Sequence, residues 1–266
     1  MPEGDTIHRI ARALQQELEG RVIDRLMLRD HGDVTQLAGC RVVGVDALGK
    51  HLLVHIDGGW TLRVHLGMHG TWRRRHVGEA APRAPTVVIE SGDRAFDCDR
   101  AYTAELLRSS GLGMHGRLRR LGPDLLADPP DIDEAVRRAS LPAYAGREVG
   151  DVLLDQRIAA GVGNVYKSEV MFECRLHPRT RLQHIERGEL AAMFTTAARL
   201  MRDNLLTRRR TSVPLRRRPS PSSQRLWVYG RAGKPCLECG TAIQRFLQGD
   251  MARSTYWCPQ CQAGSQ

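Results

Sequence analysis

The sequence lacks the features of a membrane or secreted protein. Its 266 residues contain no run of about 18 uncharged apolar residues, which excludes a membrane-spanning helix of the usual kind. The first residues, Met-Pro-Glu-Gly-Asp, are acidic and lack the apolar stretch of a signal peptide. The composition, 41% hydrophobic and 26% charged, is that of a folded chain with an apolar core. We therefore expect a cytoplasmic globular protein.

Lysine is scarce although the chain is basic. The 40 Lys and Arg residues outnumber 30 Asp and Glu residues, for a net charge of +10, but the lysines are only Lys50, Lys167 and Lys234. A compositional bias toward arginine explains this balance, and so does a polyanionic partner, because guanidinium groups bind phosphate oxygens in a bidentate manner. Composition alone leaves both explanations open.

The seven cysteines fall into two groups. Three are isolated along the chain, and without a secretion signal we expect buried thiols at Cys40, Cys98 and Cys174. The other four follow the pattern C-x2-C-x18-C-x2-C, in which each C-x2-C turn presents two thiolates to one corner of a tetrahedron. This spacing predicts one structural zinc ion held by Cys236, Cys239, Cys258 and Cys261.

Hydrophobic periodicity divides the rest of the chain. A helical pattern of Ile and Leu follows Asp5 and stops at Gly20. Short β-branched runs then predict strands of a β-sandwich or barrel at 22–28, 41–45, 51–56, 61–66 and 86–90. From 131 to 206 the pattern is helical, with helices predicted at 131–139, 149–159, 165–174 and 187–206. The Arg-, Pro- and Ser-rich segment 207–225 reads as a basic linker, either solvated or following a phosphate backbone.

Two features suit a nucleic acid, one as a phosphate-binding corner and the other as an arginine that enters a groove. The glycine-rich turn before Asn164 opens a helix whose free N–H groups suit an anion, and Lys167 follows one turn later. The 18-residue loop of the zinc module is long enough for two short strands, with Arg253 at or near the tip of the hairpin. Either feature alone is also compatible with an ordinary helix connection or a surface arginine.

The N-terminus carries the candidate nucleophile. Methionine is normally removed before proline, which would leave Pro2 with a free secondary amine that can attack an aldehyde carbon and form an iminium ion. An unperturbed α-amine titrates near about 8 and lysine near about 10.4, so the terminus offers more free base at neutral pH. Glu3 is placed to serve as general acid–base.

Several motifs occur together and in one order along the whole chain. They are MPEGDTIHRIA at the start, LGKHLL around Lys50, HLGMHG at 65–70, LLDQRIAAGVGNVYKSE at 153–169 and the final YWCPQC. In these motifs the chain resembles the formamidopyrimidine-DNA glycosylase/endonuclease VIII family of DNA repair enzymes, most closely its endonuclease VIII branch. The resemblance implies an α+β fold in three domains: an N-terminal helix with a β-sandwich (1–120), a helix–two-turn–helix domain with the basic linker (121–233) and a four-cysteine zinc finger (234–266).

The same resemblance implies roles for particular residues. Pro2 would attack the sugar C1′ and expel the base, Glu3 would protonate the sugar ring oxygen, and Lys50 would contact phosphate and assist the chemistry. Asn164 and Arg253 would hold the phosphates that flank the lesion. Met68 would fill the gap left by the flipped base, as an apolar wedge can.

The substrate is the least determined point. The purine-specific branch has an Arg and a Phe in a loop of the β-domain, and residues 93–102 do not show its usual pattern, which favours oxidised pyrimidines. In contrast, HLGMHG resembles the purine branch. The alternatives are a glycosylase for formamidopyrimidine and 8-oxoguanine, and a zinc-ribbon protein that binds DNA without catalysis. The expected partner is damaged double-stranded DNA, with bubble or single-stranded DNA as an alternative, bound by a monomer associated with the nucleoid.

Overall fold

The computed structural model describes residues 1–81, 84–207, 209–214 and 225–263. The chain divides into two compact units, Met1–Arg119 and Arg120–Gln266. Across the described residues, no helix has the length and apolar character to cross a membrane. Most of the segment expected to be a basic linker lies outside the described residues.

The first unit is a helix followed by a two-sheet sandwich. Helix α1 spans Gly4–Leu18. The strands that follow are β1 (Arg25–Leu28), β2 (Gly32–Asp33), β3 (Val42–Leu48), β4 (His51–Ile56), β5 (Trp60–His65), β6 (Thr71–His76), β7 (Pro85–Ser91), β8 (Arg94–Asp99) and β9 (Thr103–Arg108). They form one sheet in the order β2-β1-β7-β8-β6 and a second in the order β3-β4-β5-β9.

The core of this unit comes from the apolar faces that the sequence pattern predicts. Ile7, Leu14 and Leu18 lie on one face of α1 and are buried with side chains from both sheets. Helix α1 packs on β3 and β4. Burying this stripe holds the first turn of the helix, and so the chain terminus, against the sandwich.

The structure has more strands here than the periodicity predicted. The predicted runs correspond to β1, β3, β4, β5 and β7, whereas β2, β6, β8 and β9 were not predicted. Strand β6 reads Thr-Trp-Arg-Arg-Arg-His and lies at the edge of its sheet. Two of its arginines reach acidic neighbours: Arg74 donates to Glu17 at 2.6 Å and Arg75 to Asp97 at 2.6 Å. Trp72 alone packs against the core. Apolar alternation in the sequence does not detect an edge strand of this kind.

The second unit is helical, with a hairpin at its end. Its helices are α2 (Ile132–Ala139), α3 (Val149–Leu154), α4 (Asn164–Glu173) and α5 (Arg187–Asp203). They share one apolar core to which all four contribute. Strands β10 (Gln244–Gln248) and β11 (Arg253–Trp257) pair antiparallel, which confirms the predicted hairpin in the zinc module.

Two local expectations were wrong. Helix α3 ends at Leu154, five residues before the predicted end, because the Asp155 carboxylate accepts the backbone N–H of Arg157 at 3.0 Å and turns the chain. Of the three isolated thiols only Cys98 is fully buried, whereas Cys40 and Cys174 are partly exposed.

Candidate functional site

The N-terminal residues are held by the start of helix α1. The backbone carbonyl of Glu3 accepts the N–H groups of Thr6 at 2.9 Å and Ile7 at 3.1 Å, so Glu3 is the N-cap residue. Its side chain is fully buried, which is rare for a carboxylate. Pro2, immediately before it, is half-buried. Helix packing therefore fixes the positions of both residues.

Pro2 borders a cleft in the first unit. The cleft has a volume of about 340 Å³ and is lined by Met1, Pro2, Thr6, Ile10, Met68, Gly70, Thr71 and Trp72. The structure thus brings the predicted nucleophile and the predicted wedge residue to one cavity. Its walls come from the N-terminus with the first two turns of α1, from the connection between β5 and β6 and from the start of β6.

Met68 lies at the tip of that connection. Its side chain is 54% exposed, so it does not serve as a core methionine. The turn depends on Gly67, whose φ of +64° is a left-handed conformation that favours glycine. A Cβ on Gly67 would also lie 2.9 Å from the Cβ of Tyr102.

Tyr102 is a surface aromatic that the sequence analysis did not single out. Its ring is 70% exposed and its edge meets the ring of His65, with centroids 6.0 Å apart. Its backbone N–H donates to the His65 carbonyl at 2.9 Å, which holds it beside the Met68 turn. Tyr102 is the last residue of the segment 93–102, which the sequence analysis noted only for not showing the usual pattern of the purine-specific branch.

Lys50 lies beside a pair of neutral histidines. It follows Gly49 in the turn between β3 and β4, and His51 begins β4 opposite His65 of β5, with the two rings 4.9 Å apart. Burial first, and then the charge of the nearby Arg63 guanidinium, lower the pKa of His51 to about 3 and that of His65 to about 4. The charge on Lys50 also contributes to the lowered pKa of His65. Both imidazoles are therefore uncharged at neutral pH.

In the second unit, a braced turn connects α3 and α4. The side-chain amide of Gln156 donates to the carbonyls of Leu154 at 2.9 Å and Val162 at 3.0 Å, and its oxygen accepts the Gly161 N–H at 3.1 Å. Gly161 has a φ of +109°, which disfavours any side chain. These bonds fix the two turns that precede Asn164, the first residue of α4.

Asn164 and Arg253 are close because the finger hairpin meets the start of α4. The Asn164 side-chain amide donates to the backbone carbonyl of Ser254 at 2.7 Å. Arg253 is the residue before it, pairs with Gln248 at the end of the hairpin and is partly exposed. The amide nitrogen of Asn164 has a second N–H that this bond does not use.

Lys167 differs from its expected position. Its side chain is fully buried, and its ammonium donates to the Thr255 hydroxyl at 2.6 Å. We expected a DNA-contacting residue, but an ammonium inside the protein is not presented to an external phosphate. The spacing from Asn164 gave no sign of this, because it does not show which side of α4 the hairpin covers.

The four predicted zinc ligands form one cluster. The Sγ atoms of Cys236, Cys239, Cys258 and Cys261 all lie within 4.8 Å of one another. Sulfurs about 2.3 Å from a single tetrahedral zinc would be about 3.8 Å apart, and the Cys236–Cys261 and Cys239–Cys258 pairs are 3.8 and 3.4 Å apart. Backbone N–H groups of Glu238 and Cys261 point at two of the sulfurs. The site fits one structural zinc.

The order of modules in the chain defines a known class of protein. Models of the formamidopyrimidine-DNA glycosylase N-terminal domain, of the formamidopyrimidine-DNA glycosylase H2TH domain and of a zinc finger found in FPG and IleRS match residues 1–103, 121–213 and 233–264. The chain belongs to the formamidopyrimidine-DNA glycosylase/endonuclease VIII family.

Full-length relatives and solved structures agree with this. The chain is 39% identical to "Probable endonuclease 8 2" of Streptomyces coelicolor, covering 99% of this chain and 95% of that protein. It is 38% identical to "DNA-(apurinic or apyrimidinic site) lyase Nei2" of Mycolicibacterium smegmatis, over all of both chains. A structure of Lactococcus lactis Fpg with abasic-site DNA superposes with a TM-score of 0.82 at 20% identity, covering 98% and 99% of the two chains.

Proposed function

We propose that this chain is a bifunctional DNA glycosylase and AP lyase of base excision repair. It removes oxidised bases, pyrimidines in preference, and cuts the strand by β- and then δ-elimination. The single observation that carries the proposal is the cleft at the start of α1, where Pro2 follows the removable Met1, precedes a buried carboxylate at Glu3 and faces Met68. The named relatives, an endonuclease 8 and an AP lyase, support it.

Removal of Met1 creates the nucleophile. The Pro2 nitrogen, an amide in the full chain, then becomes a secondary amine that is partly unprotonated at neutral pH. It attacks the sugar C1′, the C1′–base bond breaks, and the electron pair leaves with the base. Loss of the ring C–O bond gives an iminium ion between Pro2 and C1′, which is covalent catalysis by an amine.

Glu3 and Lys50 complete the chemistry. Glu3, buried beside Pro2, protonates the sugar ring oxygen as the ring opens. The iminium ion acidifies the C2′ hydrogen, whose removal expels the 3′ phosphate, and a second elimination expels the 5′ phosphate. Lys50 contacts phosphate at the edge of β4 and assists these steps. Because His51 and His65 are uncharged, neither adds positive charge beside Lys50.

DNA is held by residues of both units, each acting from its own surface. Met68 fills the gap that the flipped nucleotide leaves in the base stack. We propose that the exposed Tyr102 ring next to Met68 enters the same gap. Asn164 and Arg253 bind the phosphates that flank the lesion. Zinc holds the hairpin that carries Arg253 in a rigid form.

The protein acts as a monomer on damaged duplex DNA in the nucleoid of the cytoplasm. The net charge of +10 supports sequence-independent attraction to the duplex. Lesion specificity then comes from the few residues at the cleft, because phosphate contacts carry no information about a base.

Parallel incision assays test the activity and the substrate together. The purified, Met1-processed protein is incubated with duplexes that carry one thymine glycol, one 5-hydroxyuracil, one 8-oxoguanine or one abasic site. We expect incision at the pyrimidine lesions to exceed that at 8-oxoguanine, with both strand ends phosphorylated. Glu3→Gln is the matched control, because this variant keeps the Pro2 amine but lacks the carboxylic acid. We expect it not to remove the damaged base.

Two other results would overturn parts of the proposal. Faster incision at 8-oxoguanine would indicate the purine-specific activity. The chain is also 31% identical to a formamidopyrimidine-DNA glycosylase of Herpetosiphon aurantiacus, which supports this alternative. DNA binding without incision at any of the four sites would indicate a binding protein that has the fold but lacks the reaction.

A further inference from the structure

Lys167 is a buried cation at the contact between helix α4 and the finger hairpin. None of its surface is exposed, and its Nζ donates to the Thr255 Oγ1 at 2.6 Å. We infer that Lys167 is a positioning residue: through Thr255 it fixes the hairpin on α4 and thereby sets Arg253 relative to Asn164. The inference rests on the proposed function, since it concerns how the two phosphate-binding residues are held.

The hydrogen bonds around Lys167 form a relay with a fixed direction. An ammonium only donates, so the Thr255 hydroxyl accepts from Lys167 and donates onward to the Gln248 Oε1, 2.7 Å away. This orients the Gln248 amide, whose nitrogen donates to the Glu148 carboxylate and to the Pro178 carbonyl, both at 2.8 Å. The relay of Lys167, Thr255, Gln248 and Glu148 thus begins at a cation and ends at a carboxylate.

The relay connects the hairpin to two helices. Lys167 lies on α4, Thr255 and Gln248 lie on the two strands of the hairpin, and Glu148 is the N-cap residue of α3. The start of α3 approaches Gln248 closely, because a Cβ on Gly150 would lie 2.4 Å from its Oε1. A glycine at this position therefore leaves room for the Gln248 side chain.

Two bonds on either side of the relay set the register. The Asn164 amide donates to the Ser254 carbonyl at 2.7 Å, and the Tyr256 N–H donates to the Ser168 hydroxyl at 3.3 Å. Asn164, Lys167 and Ser168 are spaced i, i+3 and i+4 and lie on one face of α4. They meet three consecutive residues of β11, starting immediately after Arg253. A shift of the hairpin by one residue would break all three contacts.

The positions of Arg253 and Thr255 along β11 explain why the contacts of Lys167 determine where Arg253 lies. Side chains two residues apart lie on the same face of a strand, so Arg253 and Thr255 share a face, and Gln248 is paired directly with Arg253. Apolar residues would pack here at a lower desolvation cost than an ammonium. The directional bonds of the relay provide what such packing lacks, a single register of the hairpin on α4.

The test combines a double-mutant cycle with salt dependence. Zinc-loaded, full-length wild type, Lys167→Met, Thr255→Val and the double variant are titrated with a duplex that carries a tetrahydrofuran abasic-site analogue. Each single variant should weaken binding about tenfold, the effect of one buried hydrogen-bonding group left unsatisfied. The double variant should bind no more weakly than the weaker single variant, since both break the same relay. Thr255→Ser, which retains the hydroxyl, should restore wild-type affinity.

Salt dependence distinguishes positioning from direct contact. The magnitude of the slope of log Kobs against log salt should fall by about 0.9, the value for one phosphate contact, in Arg253→Ala. Adding Lys167→Met to Arg253→Ala should reduce it no further, because Lys167 acts through Arg253 and contacts no phosphate itself. A further reduction of about 0.9 when Lys167→Met is added to Arg253→Ala, or additive effects of Lys167→Met and Thr255→Val on affinity, would overturn the inference. Zinc content and melting temperature exclude unfolded variants, and the binding assay is independent of incision, so failure of the proposed activity would appear separately.

Discussion

The buried histidine pair predicts that acid destabilises the first unit at a pH well above the range where carboxylates titrate. The ordinary pKa of a histidine, 6.5, falls to about 3 at His51 and to about 4 at His65, chiefly through burial. Between these values and 6.5 the unfolded chain binds protons that the folded chain does not. The stability that depends on keeping these two histidines neutral is therefore fully present above pH 6.5 and declines as the pH falls below it.

The size of the effect follows from the proton count. Each histidine that is protonated in the unfolded state and neutral in the folded state changes the free energy of unfolding by about 1.4 kcal/mol per pH unit. From pH 6.5 to about 5 the loss is about 2 kcal/mol for each of His51 and His65. A total of about 4 kcal/mol is a large part of the 5–15 kcal/mol that is typical of a folded domain.

Urea unfolding as a function of pH measures this directly. Hydrogen exchange of β4 and β5 amides, read by mass spectrometry, reports the unit that contains both histidines. In His51→Gln the slope of unfolding free energy against pH should fall by about 1.4 kcal/mol per unit, while the exposed His69→Gln serves as the matched control. An unchanged slope in His51→Gln would refute the reasoning, because His51 would then titrate alike in the folded and unfolded states.

Three further predictions concern single features of the site. Removing zinc with a chelator should unfold the finger and weaken DNA binding, seen by circular dichroism and titration with duplex; binding that survives zinc loss would contradict the assigned role of Arg253. Met68→Ala should slow incision at a damaged base but spare cleavage at a preformed abasic site, since only the former needs the gap filled; equal losses in both assays would argue against a wedge. Gly161→Ala should destabilise the second unit by about 1 kcal/mol or more, measured as a lower melting temperature, with Gly146→Ala, in open space, as the control; equal effects would show that the left-handed turn is not required.

Part of this structure was predictable from the sequence because it depends on local patterns. The helix before Gly20, the helical character of the second unit and the C-x2-C pairs each follow from spacing along the chain, and the structure places each of them as expected. The hairpin in the zinc module was predictable as well, since the loop between the cysteine pairs has room for two strands. These features require no knowledge of distant contacts.

The rest depends on contacts between residues far apart in the chain. Strand β6 is polar and is held by pairing with β8, which no local pattern reveals. Lys167 looked like a surface cation because its burial depends on Thr255, 88 residues away. His51 and His65 gave no signal because their lowered pKa values depend on burial and on the charge of Arg63. Tyr102 is important only beside the Met68 turn, a neighbour that the sequence does not identify.

The central claim, that the Pro2 nitrogen is the nucleophile, is tested most directly by locating the covalent intermediate. Borohydride reduction of the protein with abasic-site DNA, followed by proteolysis and mass spectrometry, identifies the residue that carries the sugar remnant. We predict that the remnant lies on the N-terminal peptide, at Pro2, in protein from which Met1 has been removed, and that protein retaining Met1 gives no Pro2 adduct. A remnant on Lys50, or no adduct in correctly processed protein, would contradict the account.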